Sequence, residues 1–420
     1  MIKILAYRID IVIATVAYSL LSVFFYFNQK ECSFNNGLEW DGVYYAEATE
    51  DFAKKERPNT IAPFGYRIGI PFIASLMPQK TKLAWLLLGV IFSAITFILL
   101  YFLLTLYLKD KWARFALLMF YIINFRSPVR AIWYAPVSTD YFDKFFLILG
   151  LIFLFYIKSE GWTKARSLSF TILIYLGVLC REIVGVLAVA SIFATNPIKF
   201  DSEKRNFYFS QIPILSLFPV LGFFLAFLTT KLLVDPIPNP QFQGFAQTSI
   251  YWIFTKSFPD YLLAILIAFS PAILNIIITW KKQTKFLFEF QHLSIYTFLF
   301  LLLGYFGGSA THRLIYWAIP AVLIMLGKSF EEVAIYSKRN RLFYTFLVLF
   351  ILLSQRVFWL IPDYPNHNST NLVFLTPLTN NINLLDLIGM GSLKVRFLSL
   401  VSYLFAIFFL FYIYLKKSDN

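Results

Sequence analysis

Apolar and polar residues alternate along this chain in long blocks. Apolar windows fall at roughly 9–27, 83–107, 113–125, 143–157, 168–179, 183–195, 208–232, 260–280, 293–309, 314–327, 342–361 and 397–415. A run of about 18 residues with few charges is long enough to cross a bilayer as a helix. The pattern predicts an all-α polytopic membrane protein with about 10–12 transmembrane helices in a single domain, 1–420. Two windows, 168–179 and 183–195, are too short to cross unaided. They read as a hairpin with Cys180, Arg181 and Glu182 near its apex, although one continuous span is the other reading.

Polar content concentrates in three segments, 28–82, 233–259 and 362–396. In the first, "IAPFGYRIGIPFIASLMP" at 61–78 is broken by Pro63, Gly65, Pro71 and Pro78, so it lies along a surface or re-enters. The second, Pro-rich and then aromatic, suits an interfacial lid. The third carries His367 and Arg396. The first apolar window has no small-residue cleavage site after it and reads as a retained span, not a removed signal.

Composition changes the picture little; charge changes it more. The chain is 59% hydrophobic and 14% charged, with net charge +14. Its basic residues form short clusters between spans, the orientation signal of a membrane protein rather than a nucleic-acid footprint. With the N-terminus in the cytoplasm, the inner loops are 109–114, 158–166, 199–205, 281–285, 328–341 and the tail. Counted with Lys3, Arg8, Asp10 and Glu289 at the span ends beside them, the inner side holds 20 of the 37 Lys+Arg and 9 of the 23 Asp+Glu, leaving 17 and 14 outside. This bias predicts a multi-pass protein of the plasma (inner) membrane, both termini cytoplasmic, with 28–82, 233–259 and 362–396 outside. Cys32 and Cys180 form no metal or disulfide framework.

Several charges come out on the outer side near span ends, against that bias. They are Arg67, Arg126, Arg130, Arg181 and Arg313, with His312 beside the last. Guanidinium binds phosphate in two-pronged fashion, which suits a lipid phosphate at that depth. Carboxylates converge on the same face: Glu39 and Asp41, Asp140 and Asp143, and Glu182. Asp140 has a structural alternative, since Thr139-Asp140 could cap the following helix. Trp40, Tyr44, Tyr45 and Tyr66 are placed to stack on a sugar or to form an aromatic belt at headgroup depth.

"EWDGVYYAEA" followed by "APFGYRIGIPFIASLMP" resembles the first outer loop of the GT-C superfamily of integral-membrane glycosyltransferases, in its bacterial cell-surface glycopolymer branch. "APVSTDYFDKFFLILGL", "LCREIVGVLAVA" and "THRLIYWAIP" resemble later stretches of that branch. The resemblance covers about 38–195 plus 307–320. It implies a catalytic module in 1–195, with further spans in 196–420 and interfacial helices in the first outer loop. It implies transfer of a sugar from a polyprenyl-phosphate donor to a glycan or glycolipid acceptor on the extracytoplasmic face. Asp41 would be the general base, the arginines would hold the donor phosphate, and Glu39, Asp140, Asp143, Glu182 and His312 would support them. A divalent cation (Mg or Mn), if used, would fall to Asp41 and Asp140. The chain departs from the family in having Glu39, not Asp, two residues before Asp41. Nucleic acid is not an expected partner; membrane lipid is. An O-antigen polymerase or ligase would also use outer Arg and His on a lipid diphosphate, centred on a long late loop such as 362–396. A lipid-linked glycan flippase or transporter would instead place charges at mid-span and repeat its halves.

Overall fold

A computed structural model describes residues 9–201, 206–238, 245–308, 311–336, 341–355, 357–358, 360–361 and 393–416. Most of the late loop 362–396, with His367, lies outside these residues, as do Lys3, Arg8 and the end of the tail. Each apolar window carries helix. In chain order the elements begin with α1 (Ile9–Asn28), α2 (Gly42–Ala53), α3 (Gly69–Ser75), α4 (Thr81–Tyr107), α5 (Lys111–Ile123), α6 (Pro128–Tyr134) and α7 (Asp140–Glu160). They continue with α8 (Lys164–Cys180), α9 (Val186–Ile192), a hairpin of β1 (Ile198–Asp201) and β2 (Asn206–Phe209), α10 (Phe218–Leu233), α11 (Phe245–Thr255) and α12 (Phe258–Phe269). The last are α13 (Ile273–Ile278), α14 (Trp280–Glu289), α15 (Gln291–Phe306), α16 (Thr311–Tyr316), α17 (Ile319–Tyr336), α18 (Arg341–Gln355) and α19 (Leu393–Lys416).

The chain is a predominantly helical polytopic membrane protein, with fewer helices that qualify as spans by length and composition than the expected 10–12. Among the described residues, 5 helices are long and apolar enough to cross a membrane, or up to 7 if each of two bent pairs counts as one span. The shortfall has local causes. α7 carries Asp140, Asp143 and Lys144 in its first turns, and α8 has 17 residues. The window at 260–280 is interrupted where Ser270 takes a left-handed φ of 55° just before Pro271.

α8 and α9 run as a hairpin. Near the start of α8, Ser167 Oγ donates to the carbonyl of Leu215 at 2.8 Å. In the last turn of α9, Ser191 Oγ donates to the carbonyl of Ser216 at 3.0 Å. Both ends therefore meet one turn, and the chain doubles back between them at Arg181, whose backbone is extended. α10 lies along α8, with Gly222 pressed on the backbone of Thr171.

The two ends of the bundle differ in character. At one, Asp10 pairs with Arg114 at 3.2 Å, Tyr107 bonds His292, and Lys109 N donates to Glu331 at 2.5 Å. The basic loops collect here. At the other end, the first loop folds over the starts of α6 and α7. α2 is tied to α4 by Trp85 Nε1, which donates to Thr49 Oγ1 at 3.0 Å. The 61–78 segment forms one turn of 3-10 helix (Phe64–Tyr66) and then α3, and crosses nothing.

Candidate active site

The site is built from four separate stretches of sequence. The first is "FNNGLEWDG". Asn35, Asn36 and Gly37 take left-handed backbone, which Asn and Gly tolerate best, and Glu39 also has φ 56°. Asn35 Nδ2 fixes the turn by donating to the carbonyl of Glu39 at 2.8 Å. Asp41 then sits at the N-cap of α2 without bonding the helix, so its carboxylate is free to face outward. Gly42 is required here: a Cβ would lie 2.8 Å from the carbonyl of Val137. That close approach brings Asp41 up against the start of α7.

The second stretch is "NFRSP". α5 ends at Asn124, whose side chain donates to the carbonyl of Ala268 at 3.0 Å and accepts from Arg126 N at 2.9 Å. Ser127 caps α6, and Pro128 occupies its first turn. Arg126 is thereby held in the break between two helices. The third stretch starts α7. Thr139 precedes the helix but caps nothing; Asp140 does not cap it either and turns to two guanidiniums. The fourth is α16, with His312 and Arg313.

These stretches enclose a cavity of about 110 Å³. Glu39, Trp40, Asp41, Arg126, Asp140, Lys144 and Arg313 all line it, with Trp317 and Tyr316. Three carboxylates thus face three cations. The volume is below the ~300–1,000 Å³ usual for a drug-sized ligand, so it fits a headgroup-sized fragment.

Arg313 is the bridge. It lies 3.4 Å from Asp41 Oδ2 and 2.9 Å from Asp140 Oδ2. Asp140 is also paired with Arg181, and Arg181 reaches Asp143 at 3.3 Å and donates to Thr139 Oγ1 at 3.1 Å. The Arg181 guanidinium stacks on Trp317 at 4.6 Å. Arg126 donates to His312 Nε2 at 2.9 Å and 2.5 Å. Burial and the two neighbouring guanidiniums hold His312 far below its ordinary pKa, so its Nε2 can accept. Burial pushes the half-buried Glu39 carboxyl up to about 7; Arg313 pulls it down and Asp41 pushes it further up.

The predicted arginines separate into two groups. Arg126 and Arg313 line the cavity. Arg67 does not: it is buried and grips Glu182 with two bonds, 2.8 Å and 2.5 Å, and donates to Tyr45 Oη at 2.6 Å. Burial works to raise Glu182, but the charge and hydrogen bonds of Arg67 outweigh it and hold the carboxyl at about 2. Arg181 is only 3% exposed and lies beneath the cavity. Arg130 is buried, sandwiched 4.9 Å from both Phe25 and Phe125, and donates to the carbonyls of Gln355 and Val357.

The aromatics separate likewise. Trp40 lines the cavity and is half exposed. Tyr44 stacks on Phe64 at 4.9 Å and Tyr45 on Trp85 at 5.7 Å, both away from the cavity, and Tyr66 ends the 3-10 turn. Sequence reasoning passed over Lys144, whose ammonium donates to the carbonyl of Asp140 at 2.9 Å and lies 5.5 Å from the Tyr316 ring. The signal was available: Lys144 is a cation at the same end of an apolar helix, the argument applied to the arginines.

For a divalent cation the donor set is a poor fit. Among the described residues, no three His, Cys, Asp or Glu side chains gather as a metal would require. Asp41 and Asp140 already share Arg313, which a cation would have to displace.

No protein-family model, curated protein or solved structure matches this chain.

Proposed function

We propose that the protein is a membrane glycosyltransferase that moves a sugar from a polyprenyl-phosphate donor to a glycan or glycolipid acceptor of the cell envelope. One observation supports this reading best: Asp41, Arg126, Asp140, Lys144 and Arg313 come from distant parts of the chain and meet in one cavity at one end of a membrane bundle. Cations within reach of a carboxylate are what glycosyl transfer from a lipid phosphate needs. The cations stabilise the departing phosphate, and the carboxylate takes the proton of the attacking hydroxyl.

In this reading the donor phosphate engages Arg126, Lys144 and Arg313. Arg313 is then shared between the phosphate and Asp140, which loosens its 3.4 Å hold on Asp41. Asp41 becomes the proton acceptor as the hydroxyl attacks the anomeric carbon and the bond to the phosphate breaks. Trp40 offers its ring to the sugar. Arg181 and Arg67 serve as positioning residues: the first fixes Asp140 and Trp317, the second ties the first loop to the hairpin apex. The cell membrane, with the cavity on its extracytoplasmic face, is the setting this chemistry calls for.

The test is transfer itself. Purified protein in nanodiscs, given a polyprenyl-phosphate sugar and candidate envelope acceptors, should release polyprenyl phosphate with one new glycosidic bond, read by mass spectrometry. Donor consumption unaffected by the protein across hexosyl and pentosyl donors would sink the reading.

A further inference from the structure

The bundle end opposite the cavity carries a feature that sugar transfer does not use. β1 and β2 pair antiparallel, placing Phe200 opposite Phe207 and Ile198 opposite Phe209 on one face. Phe207 and Phe209 are 68% and 73% exposed, and Phe200 is exposed beside them. An isolated two-stranded hairpin is marginal in water, so something must hold it. Gln291 does, accepting from Ile198 N at 3.0 Å and donating to its carbonyl at 2.5 Å, while Asn196 bonds the carbonyl of Glu289. The clamp sits at the bend where α14 turns through 111° into α15. α14 therefore runs across the end of the bundle instead of along it. Lys281, Lys285 and Phe288, spaced i, i+4 and i+7, form one exposed stripe. The Phe288 ring meets Phe207 at 6.2 Å, joining helix and hairpin into one surface.

We infer that this surface is a seat for anionic phospholipid in the adjoining leaflet: Phe200, Phe207, Phe209 and Phe288 enter the boundary between headgroups and acyl chains, and Lys199, Lys281 and Lys285 meet the lipid phosphates. An apolar face rimmed by lysines is the pattern that interfacial elements use to lie in a membrane plane. Charge complementarity selects the occupant. Among the described residues, the exposed cations bordering this surface are these three lysines, Lys199 from the reverse side of β1, with Glu289 as the carboxylate among them; Lys282 is engaged by Glu332. The assignment also makes α14 an interfacial helix, not half of a broken span, and it stands whether or not the protein transfers sugar.

The full chain is reconstituted in nanodiscs of phosphatidylcholine, with and without phosphatidylglycerol. A spin label goes on Phe207→Cys; Cys32 and Cys180 are buried and stay unlabelled. Collision with oxygen and with a water-soluble nickel chelate should place the label at headgroup depth. Native mass spectrometry should show retained phosphatidylglycerol in preference to phosphatidylcholine. The triple variant Lys199→Gln/Lys281→Gln/Lys285→Gln should lower that preference about fivefold or more, since one basic residue near an anionic surface is worth about that factor. A label freely reached by the chelate, or one deep in the acyl core, would overturn the inference. So would an unchanged lipid preference in the triple variant; because the depth measurement keeps the lysines, it decides even if that variant misfolds.

Discussion

Replacing Arg181 with Met should unfold the ionic layer beneath the cavity. Arg181 is 3% exposed and serves two carboxylates. They would not suffer equally. Asp140 keeps Arg313 at 2.9 Å, whereas Asp143, 0% exposed, has Arg181 as its ion-pair partner and a second oxygen without a hydrogen bond. The cost therefore falls on Asp143. Removing one partner of a buried pair costs up to roughly 3–5 kcal/mol where the other charge is left uncompensated. The cost is less here, above all at low pH, because burial already pushes the Asp143 carboxyl up to about 7 and it can take a proton. Loss of the stack on Trp317 adds about 0.5–2 kcal/mol. Arg181→Met/Asp143→Asn removes the stranded charge and should recover most of the first loss, leaving the stacking loss. Arg181→Lys, which keeps charge but not the planar fork, should fall between. A thiol-reactive dye provides the assay, since Cys32 and Cys180 are buried thiols outside any disulfide and become reactive only as the bundle opens. If Arg181→Met melts with the parent, or the double variant is no more stable than the single, Asp143 is not the charge that Arg181 neutralises.

Three further outcomes are expected. Asp41→Asn should lower transfer about 10²–10⁴-fold while donor binding stays near normal, and Glu47→Gln, on the exposed side of α2, should change little; rates of both variants with one donor check this. Arg313→Lys and Arg126→Lys should weaken donor binding measurably by calorimetry, whereas Arg67→Lys, whose guanidinium is sealed against Glu182, should reduce thermal stability and leave donor affinity close to the parent's. Glu39 titrates near 7 in the folded protein, above its ordinary 4.5, so its ionised form disfavours the fold as pH rises through that window. Glu39→Gln should therefore gain melting temperature over the parent between pH 5 and pH 8; an equal difference at both ends would refute the assignment.

Helix positions were legible because lipid leaves the backbone few options: every apolar window carries helix. The hairpin at 168–195 was also legible, from length and charge alone. Span number was not, because windows such as 260–280 broke internally, and α7 buried charges that only tertiary partners make tolerable. The cluster at one end could be read from arginines that defied the orientation bias. Their individual roles could not. Nothing local separates Arg67 from Arg313; what separates them is Glu182, 115 residues from Arg67, against Asp41, 272 residues from Arg313. The β-hairpin escaped because its strands are four residues each and sit in a sequence read as a basic loop.

The wide spacing of the Arg313 pairs also sets an order of events during synthesis. Arg181 follows Asp140 by 41 residues, so that pair can close early. Arg313 follows Asp140 by 173. At ~5–20 residues per second, roughly 9–35 s separate the appearance of the two. Throughout that interval Asp41 and one side of Asp140 await their counter-charge in a nascent bundle. The charge balance of the cavity is thus completed only once α16 has been made, with α17, α18 and α19 still to follow, and a ribosome that stalls before α16 leaves Asp41 without this counter-charge.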